Sequence, residues 1–145
     1  MSHVFAYGSL MFEPVWRHVV AGNYRHGPAQ LRGFERFAVR DQTYPGVVRA
    51  DSPLATVNGV VYFDVDAADL ARLDRFEGAE YRRISVPVYD VRYSDDPQVL
   101  QASLYLYLPD DQLLAQPWDA ANFEQVTMSQ FIARFCPSGS PSVWP

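Results

Sequence analysis

The sequence predicts an α+β domain, and three observations carry that reading. A short apolar run near the N-terminus breaks at Tyr7-Gly8-Ser9-Leu10 into a helix-forming stretch, long β-branched or aromatic segments follow, and two later segments hold apolar residues at helical spacing. Residues 3 to 7 read as a first strand. "FEPVWRHVVAG" then reads as a short helix, since Pro14 suits the fixed backbone angle of a first turn and Gly22 can supply a left-handed stop. Further strands are expected at residues 31 to 40, 56 to 65, 83 to 93 and 99 to 108. In the last of these, alternation sets Tyr105 and Tyr107 on one face and Leu100, Ala102, Leu104, Leu106 and Leu108 on the other. "ANFEQVTMSQFIARF" spaces Phe123, Thr127, Phe131 and Phe135 four residues apart, with Met128 and Ile132 alongside, as a C-terminal amphipathic helix would.

The segment "DAADLARLDRFEGAEYRR" carries the most information. Asp66 can cap a helix, Asp69 stands at the third helical position of a weak capping box, and Gly78 can end the helix. Leu70 and Leu73 define its buried stripe, Glu77 falls on the same stripe, and Arg72 and Arg75 point away. A carboxylate on an apolar face is costly to ionise, and the helix C-terminus adds negative potential, so both effects raise its proton affinity. The pattern also admits a helix that ends a residue or two early, leaving Glu77 at a solvated rim.

Composition narrows the function. With 145 residues, 48% hydrophobic and 20% charged, residues 1–136 are expected to form one domain, followed by an irregular tail over 137–145, "PSGSPSVWP". The net charge of −5 and the scattered arginines, of which only Arg82 and Arg83 are adjacent, speak against a nucleic-acid partner. All twelve basic residues are Arg, so no Lys can form a Schiff base. The lone Cys136 excludes an internal disulfide, and no apolar run approaches the roughly 20 residues that span a bilayer. A cytoplasmic protein acting on a small molecule, with no membrane partner, is the expectation.

The usual nucleophiles and metals find little support. His3, His18 and His26 lack paired ligand spacing, Ser9 sits in no G-x-S-x-G elbow, Cys136 lies beside Pro137, and no phosphate-binding loop is present. No metal or cofactor is expected. What remains is the turn at residues 7 to 10 and the carboxylate of Glu77. Backbone N–H groups in a strand-to-helix turn can grip an anion, although the same four residues would serve as a plain βα connection with Tyr7 in the core.

"VFAYGSL" at 4 to 10, "YPGVV" at 44 to 48, "VNGVVYFDVD" at 57 to 66, "LDRFEGAEYRR" at 73 to 83 and "ASLYLYL" at 102 to 108 occur in this order. Together they resemble the γ-glutamylcyclotransferase-like family, in the branch named for the avirulence-induced plant protein, with γ-glutamylamine cyclotransferase a further relative. The resemblance spans residues 4 to 135. It implies a small mixed β-barrel flanked by a few helices, with a cavity at the barrel mouth, in which the turn Tyr7, Gly8, Ser9, Leu10 binds a γ-glutamyl group. It puts the acid/base role on Glu77, with Glu80 as the rival three residues on. Tyr81 and Arg83 would line the cavity or support that Glu. Tyr105, and with it Tyr107, matches an aromatic late strand whose rings either reach the substrate or only pack.

The implied enzyme needs no protein nucleophile. The α-amine of a γ-glutamyl substrate attacks its own γ-carbonyl, giving 5-oxoproline and a released amine or amino acid. The competing reading is a non-catalytic module that binds a small metabolite in the same cavity. "MFEPVWRHVV" and "LPDDQLLAQPWD" show no pattern that names a leaving group.

Overall fold

The computed structural model describes residues 2–92 and 97–136. Its elements are β1 (Ser2–Ala6), α1 (Glu13–Val19), β2 (His26–Arg32), β3 (Phe34–Val39), β4 (Pro45–Arg49), β5 (Thr56–Val65) and α2 (Ala67–Glu77), followed by β6 (Tyr81–Asp90), β7 (Gln98–Tyr107), β8 (Leu113–Pro117), α3 (Ala120–Asn122) and α4 (Met128–Phe135). Five strands close into a barrel in the order β1-β5-β2-β6-β7. The barrel is mixed because β1 runs parallel to β7, with His3 and Val4 opposite Ala102 and Ser103, while its other pairings are antiparallel. Closure leaves those strands without a free edge. The fold class is therefore α+β with a small mixed barrel and helices packed on it.

Alternation along the strands separates two apolar layers. Phe5, Leu31, Val61, Val88 and Leu104 fill the barrel interior. On the outer side, Val4, Val15, Val19, Leu73 and Phe123 join the barrel wall to the helices. Trp16 of α1 lies flat on Tyr62 of β5, with ring centroids 3.6 Å apart and 3° between planes.

Several sequence expectations change. Residues 31 to 40 do not form one strand. Gly33, at φ 81°, turns the chain out of β2 and into β3, which pairs with β4 and β8 in a second, three-stranded sheet. A left-handed φ favours glycine, and the reversal cost the sequence reading both the break and the second sheet. Gly22 is not the stop of α1, which ends through extended Val20. The C-terminal helix is interrupted, with a π-helical segment at Phe123–Thr127 between α3 and α4. Among residues outside the described set lie Tyr93, the last of the expected strand 83 to 93, and the whole of the expected tail.

Asp69 differs most from its reading. Asp66 does cap α2, its side chain accepting from the Asp69 N–H at 2.8 Å, yet the Asp69 carboxylate makes no reciprocal capping bond. It is 1% exposed and accepts from the Ala21 and Gly22 amides, the Tyr24 hydroxyl and the Arg72 guanidinium, at 2.7 to 2.9 Å except for Tyr24 at 2.6 Å. Arg72 thus folds back onto the helix rather than pointing away. Burial acts to raise the Asp69 pKa, but the Ala21 and Gly22 amides, Tyr24 and Arg72 outweigh it and hold the group below its usual value.

This clamp fastens the end of α1 to the start of α2. Asp69→Ala would strand several buried donors, and a loss of about 3 to 5 kcal/mol in urea unfolding is expected. Because the folded pKa is depressed, the contribution is present above the unfolded value and is lost as pH falls through the folded one. The gap between wild type and Asp69→Ala should therefore narrow in acid.

Candidate active site

The first strand delivers its end, Ala6, to the wall of a pocket of about 260 Å³. Tyr7, Gly8, Ser9 and Leu10 line one side of it, and Glu77, Gly78, Ala79 and Glu80 line another. Pocket volumes for drug-sized ligands start at about 300 Å³, so this one suits an amino-acid-sized group. Its described lining contains two carboxyl groups and no Arg or His.

The turn is built so that its carbonyls are engaged elsewhere. Tyr7 C=O accepts from Arg36 at 2.8 Å, Gly8 C=O from the Met11 N–H at 3.0 Å, Ser9 C=O from the Phe12 N–H at 3.2 Å, and Leu10 C=O from the Tyr62 hydroxyl at 2.8 Å. Residues 9–11 form a short 3₁₀ turn whose opening N–H groups precede its first internal bond. The backbone of the turn therefore presents N–H donors while each of its four carbonyls already accepts a hydrogen bond. A glycine is required at its start, because a Cβ at Gly8 would stand 2.9 Å from the Pro45 ring. The Tyr7 side chain is buried and donates to Tyr105 C=O at 2.6 Å. Its pKa is raised well above the usual value by burial and then by the charge of Glu77, while the Val47 amide and Arg36 act against this.

Glu77 is the last residue of α2, and the helix reaches it rather than ending early. Gly78, at φ 73°, then turns the chain away. The Glu77 side chain is half-buried and faces the pocket. Burial pushes its pKa up to about 8, helped by the negative charge of Asp74 one turn earlier. Glu80, in the next 3₁₀ turn, also lines the pocket but is exposed, and accepts from the Tyr44 hydroxyl at 3.3 Å.

The remaining expected residues separate. Tyr81 lines the pocket and donates to Pro45 C=O at 2.8 Å, which ties β6 to the "YPG" stretch. Tyr105 lines it as well, with its hydroxyl 2.7 Å from Asp74 Oδ1. Arg83 does not reach the pocket. Its Nε donates to the same Asp74 oxygen at 2.9 Å on the exposed side of α2. Tyr107 is buried behind Tyr81, ring centroids 5.3 Å apart, and is not a lining residue. The sequence reading missed Tyr44, Pro45, Phe76, Phe131 and Phe135 as lining residues. Tyr44 and Pro45 stood in a quoted motif without a role, while the helical spacing that flagged Phe131 and Phe135 reports burial without saying against what. Cys136 caps α4 in a buried position that pushes its thiol pKa up to about 11, which disfavours the thiolate.

The closed mixed barrel with helices packed on it is a γ-glutamyl-cyclotransferase-like fold. The chain belongs to the γ-glutamyl cyclotransferase, AIG2-like family, whose sequence profile matches residues 4–122. It is 35% identical over 133 residues to AIG2-like protein D of Arabidopsis thaliana, covering 91% of this chain and 85% of that one. Protein AIG2 C of the same plant is 29% identical over 134 residues, covering 92% and 78%. Among solved structures, the solution structure of an Arabidopsis thaliana protein superposes with a TM-score of 0.69 at 28% identity over 92% of this chain and 79% of that one. A structure named γ-glutamyl cyclotransferase superposes with a TM-score of 0.61 at 21% identity, over 78% and 68%, and shares the fold. No helix among the described residues is long and apolar enough to cross a membrane.

A carboxyl whose pKa is raised in the folded state stabilises the fold most when protonated. That contribution is complete below the unfolded value of 4.5 and is lost as pH rises through about 8. Glu77→Gln stays neutral throughout. It should melt at a higher temperature than wild type at pH 8 to 9, with the difference vanishing near pH 4, as read by circular dichroism at each pH.

Proposed function

We propose that this protein is a γ-glutamyl cyclotransferase in which Glu77 is the general acid/base and the Tyr7–Leu10 turn holds the γ-glutamyl end of the substrate. The observation that carries the reading is the pairing in one pocket of a donor-only backbone turn with a carboxyl poised near neutrality. With no basic side chain in the described lining, and the Tyr44, Tyr81 and Tyr105 hydroxyls engaged with Glu80, Pro45 and Asp74, the turn N–H groups and the Ser9 hydroxyl are the donors available to a substrate carboxylate.

In the reaction, the α-nitrogen bonds to the γ-carbonyl carbon and the amide C–N bond breaks, yielding 5-oxoproline and a free amine. Two protons leave the α-nitrogen and two arrive on the released amine, so no co-reactant is consumed. Glu77 takes a proton from the α-ammonium and returns one to the leaving nitrogen. A pKa of about 8 suits both directions, since general acid/base catalysis works best near the operating pH. Holding the chain folded for ring closure contributes through proximity, worth up to roughly 7 to 11 kcal/mol of a barrier. The apolar walls of Phe76, Phe131 and Phe135 restrict water and support that arrangement.

Purified protein incubated with γ-glutamyl dipeptides, γ-glutamyl-lysine and glutathione should release 5-oxoproline, measured by mass spectrometry. Glu77→Gln should lower turnover by about 10² to 10⁴-fold and keep ligand binding. Near-normal turnover in that variant would remove Glu77 from its role, and binding without product in wild type would favour the metabolite-binding module. The acid limb of kcat/KM should fall near pH 8. Asp74→Asn, which removes a charge that raises the Glu77 pKa, should move that limb to lower pH.

A further inference from the structure

We propose that Arg36 is a positioning residue for this site: from the second sheet, it fixes the orientation of the Tyr7–Gly8 peptide and so aims the Gly8 N–H at the substrate. The inference rests on the cyclotransferase reading and adds a residue that lies outside the pocket.

Arg36 stands on β3, opposite Val47 of β4. Its Nη1 donates to Tyr7 C=O at 2.8 Å and to Asn58 C=O at 3.3 Å. No acidic group pairs with it among the described residues. The guanidinium is half-buried in a second concavity and sits 5.3 Å from the Trp118 ring. Holding a cation there without a carboxylate is costly, and burial pulls its pKa down. Backbone carbonyls are what it holds instead.

The consequence follows from peptide geometry. No peptide bond among the described residues is cis, and across a trans peptide the C=O and N–H point in opposite directions. A Tyr7 C=O drawn toward Arg36 turns the Gly8 N–H the other way. Gly8 lines the candidate active site and Arg36 does not. The Gly8 N–H forms no hydrogen bond among the described residues. A peptide that ends in glycine rotates more easily than any other, because no Cβ opposes the change in φ at residue 8. If this one flipped, it would present a carbonyl to an incoming carboxylate. Arg36 holds the donor face forward, and its charge on the carbonyl also polarises the N–H.

The test uses Arg36→Met, which keeps an apolar stem against Trp118 but cannot donate, and Arg36→Lys, which restores one charged donor. Three quantities are read: the Gly8 amide resonance in ¹⁵N–¹H spectra, the affinity for 5-oxoproline, and kcat/KM with its pH profile on whichever γ-glutamyl compound wild type turns over. Arg36→Met should displace the Gly8 resonance and weaken both affinity and kcat/KM by about 10- to 100-fold, the range of one charge-assisted hydrogen bond. It should leave the acid limb in place, since Glu77 is untouched, and Arg36→Lys should recover most of the loss. A folded Arg36→Met with the wild-type Gly8 resonance and wild-type affinity overturns the proposal. So does a Lys variant as impaired as Met. If wild type turns over no γ-glutamyl compound, the cyclotransferase reading falls, while the Gly8 resonance still decides whether Arg36 sets that peptide.

Discussion

The proposed reaction sets one electrostatic constraint: the substrate's carboxylate has to be held in a pocket whose described lining has two carboxyl groups and no Arg, Lys or His side chain. With the Tyr44, Tyr81 and Tyr105 hydroxyls engaged with Glu80, Pro45 and Asp74, the turn's backbone N–H groups and the Ser9 hydroxyl beside them answer that demand, and the N–H groups do so only if the accompanying carbonyls face elsewhere. Arg36, Met11, Phe12 and Tyr62 each supply a donor to one of the four carbonyls of residues 7 to 10. Such a turn costs no desolvated cation in the pocket, and it leaves Glu77 without a counter-charge that would lower its pKa.

The fold serves that constraint at several distances. Closing the barrel through the parallel β1–β7 pair brings the end of β1 beside Tyr105, whose carbonyl then anchors the Tyr7 hydroxyl. The second sheet delivers both Arg36 and Pro45, the latter pressing on Gly8 and accepting from Tyr81. On the opposite wall, Asp69 fastens α2 to the end of α1, and Asp74, gripped by Arg83 and Tyr105, places a negative charge one turn before Glu77. The helix that presents the acid is thus fixed at its start by one aspartate and tuned near its end by another. The raised pKa that would fit Glu77 for proton transfer in the proposed reaction is also a stability cost above neutral pH, a common exchange at functional sites.

Much of this was legible in the sequence because it follows local rules. Strand β5 falls where its β-branched and aromatic run predicts, and α2 starts and stops at Asp66 and Gly78 as capping rules require. The helical period placed Glu77 on the same side as Leu73, and the structure keeps that face inward. What was not legible is non-local. Nothing near Asp69 announces that its partners are 47 and 48 residues away at Gly22 and Ala21, and its position three residues after a cap made a capping box the natural reading. Gly33 looked like one glycine inside a strand, while its positive φ sends the chain into another sheet. Arg36 was one of the scattered arginines, and nothing local ties it to the Tyr7 carbonyl 29 residues away. Tyr105 and Tyr107 shared a face by alternation, but which ring meets the pocket depends on α2 lying over one and β4 over the other.

The most direct measurement is the titration of the Glu77 side-chain carboxyl by ¹³C NMR, with and without saturating 5-oxoproline. A midpoint near 8 in the free protein, rising further when the product's carboxylate occupies the turn and adds a second negative charge, is the expected result. A midpoint near the ordinary value of 4.5, unmoved by the product, would contradict a protonated acid facing an anion-binding backbone turn across one pocket.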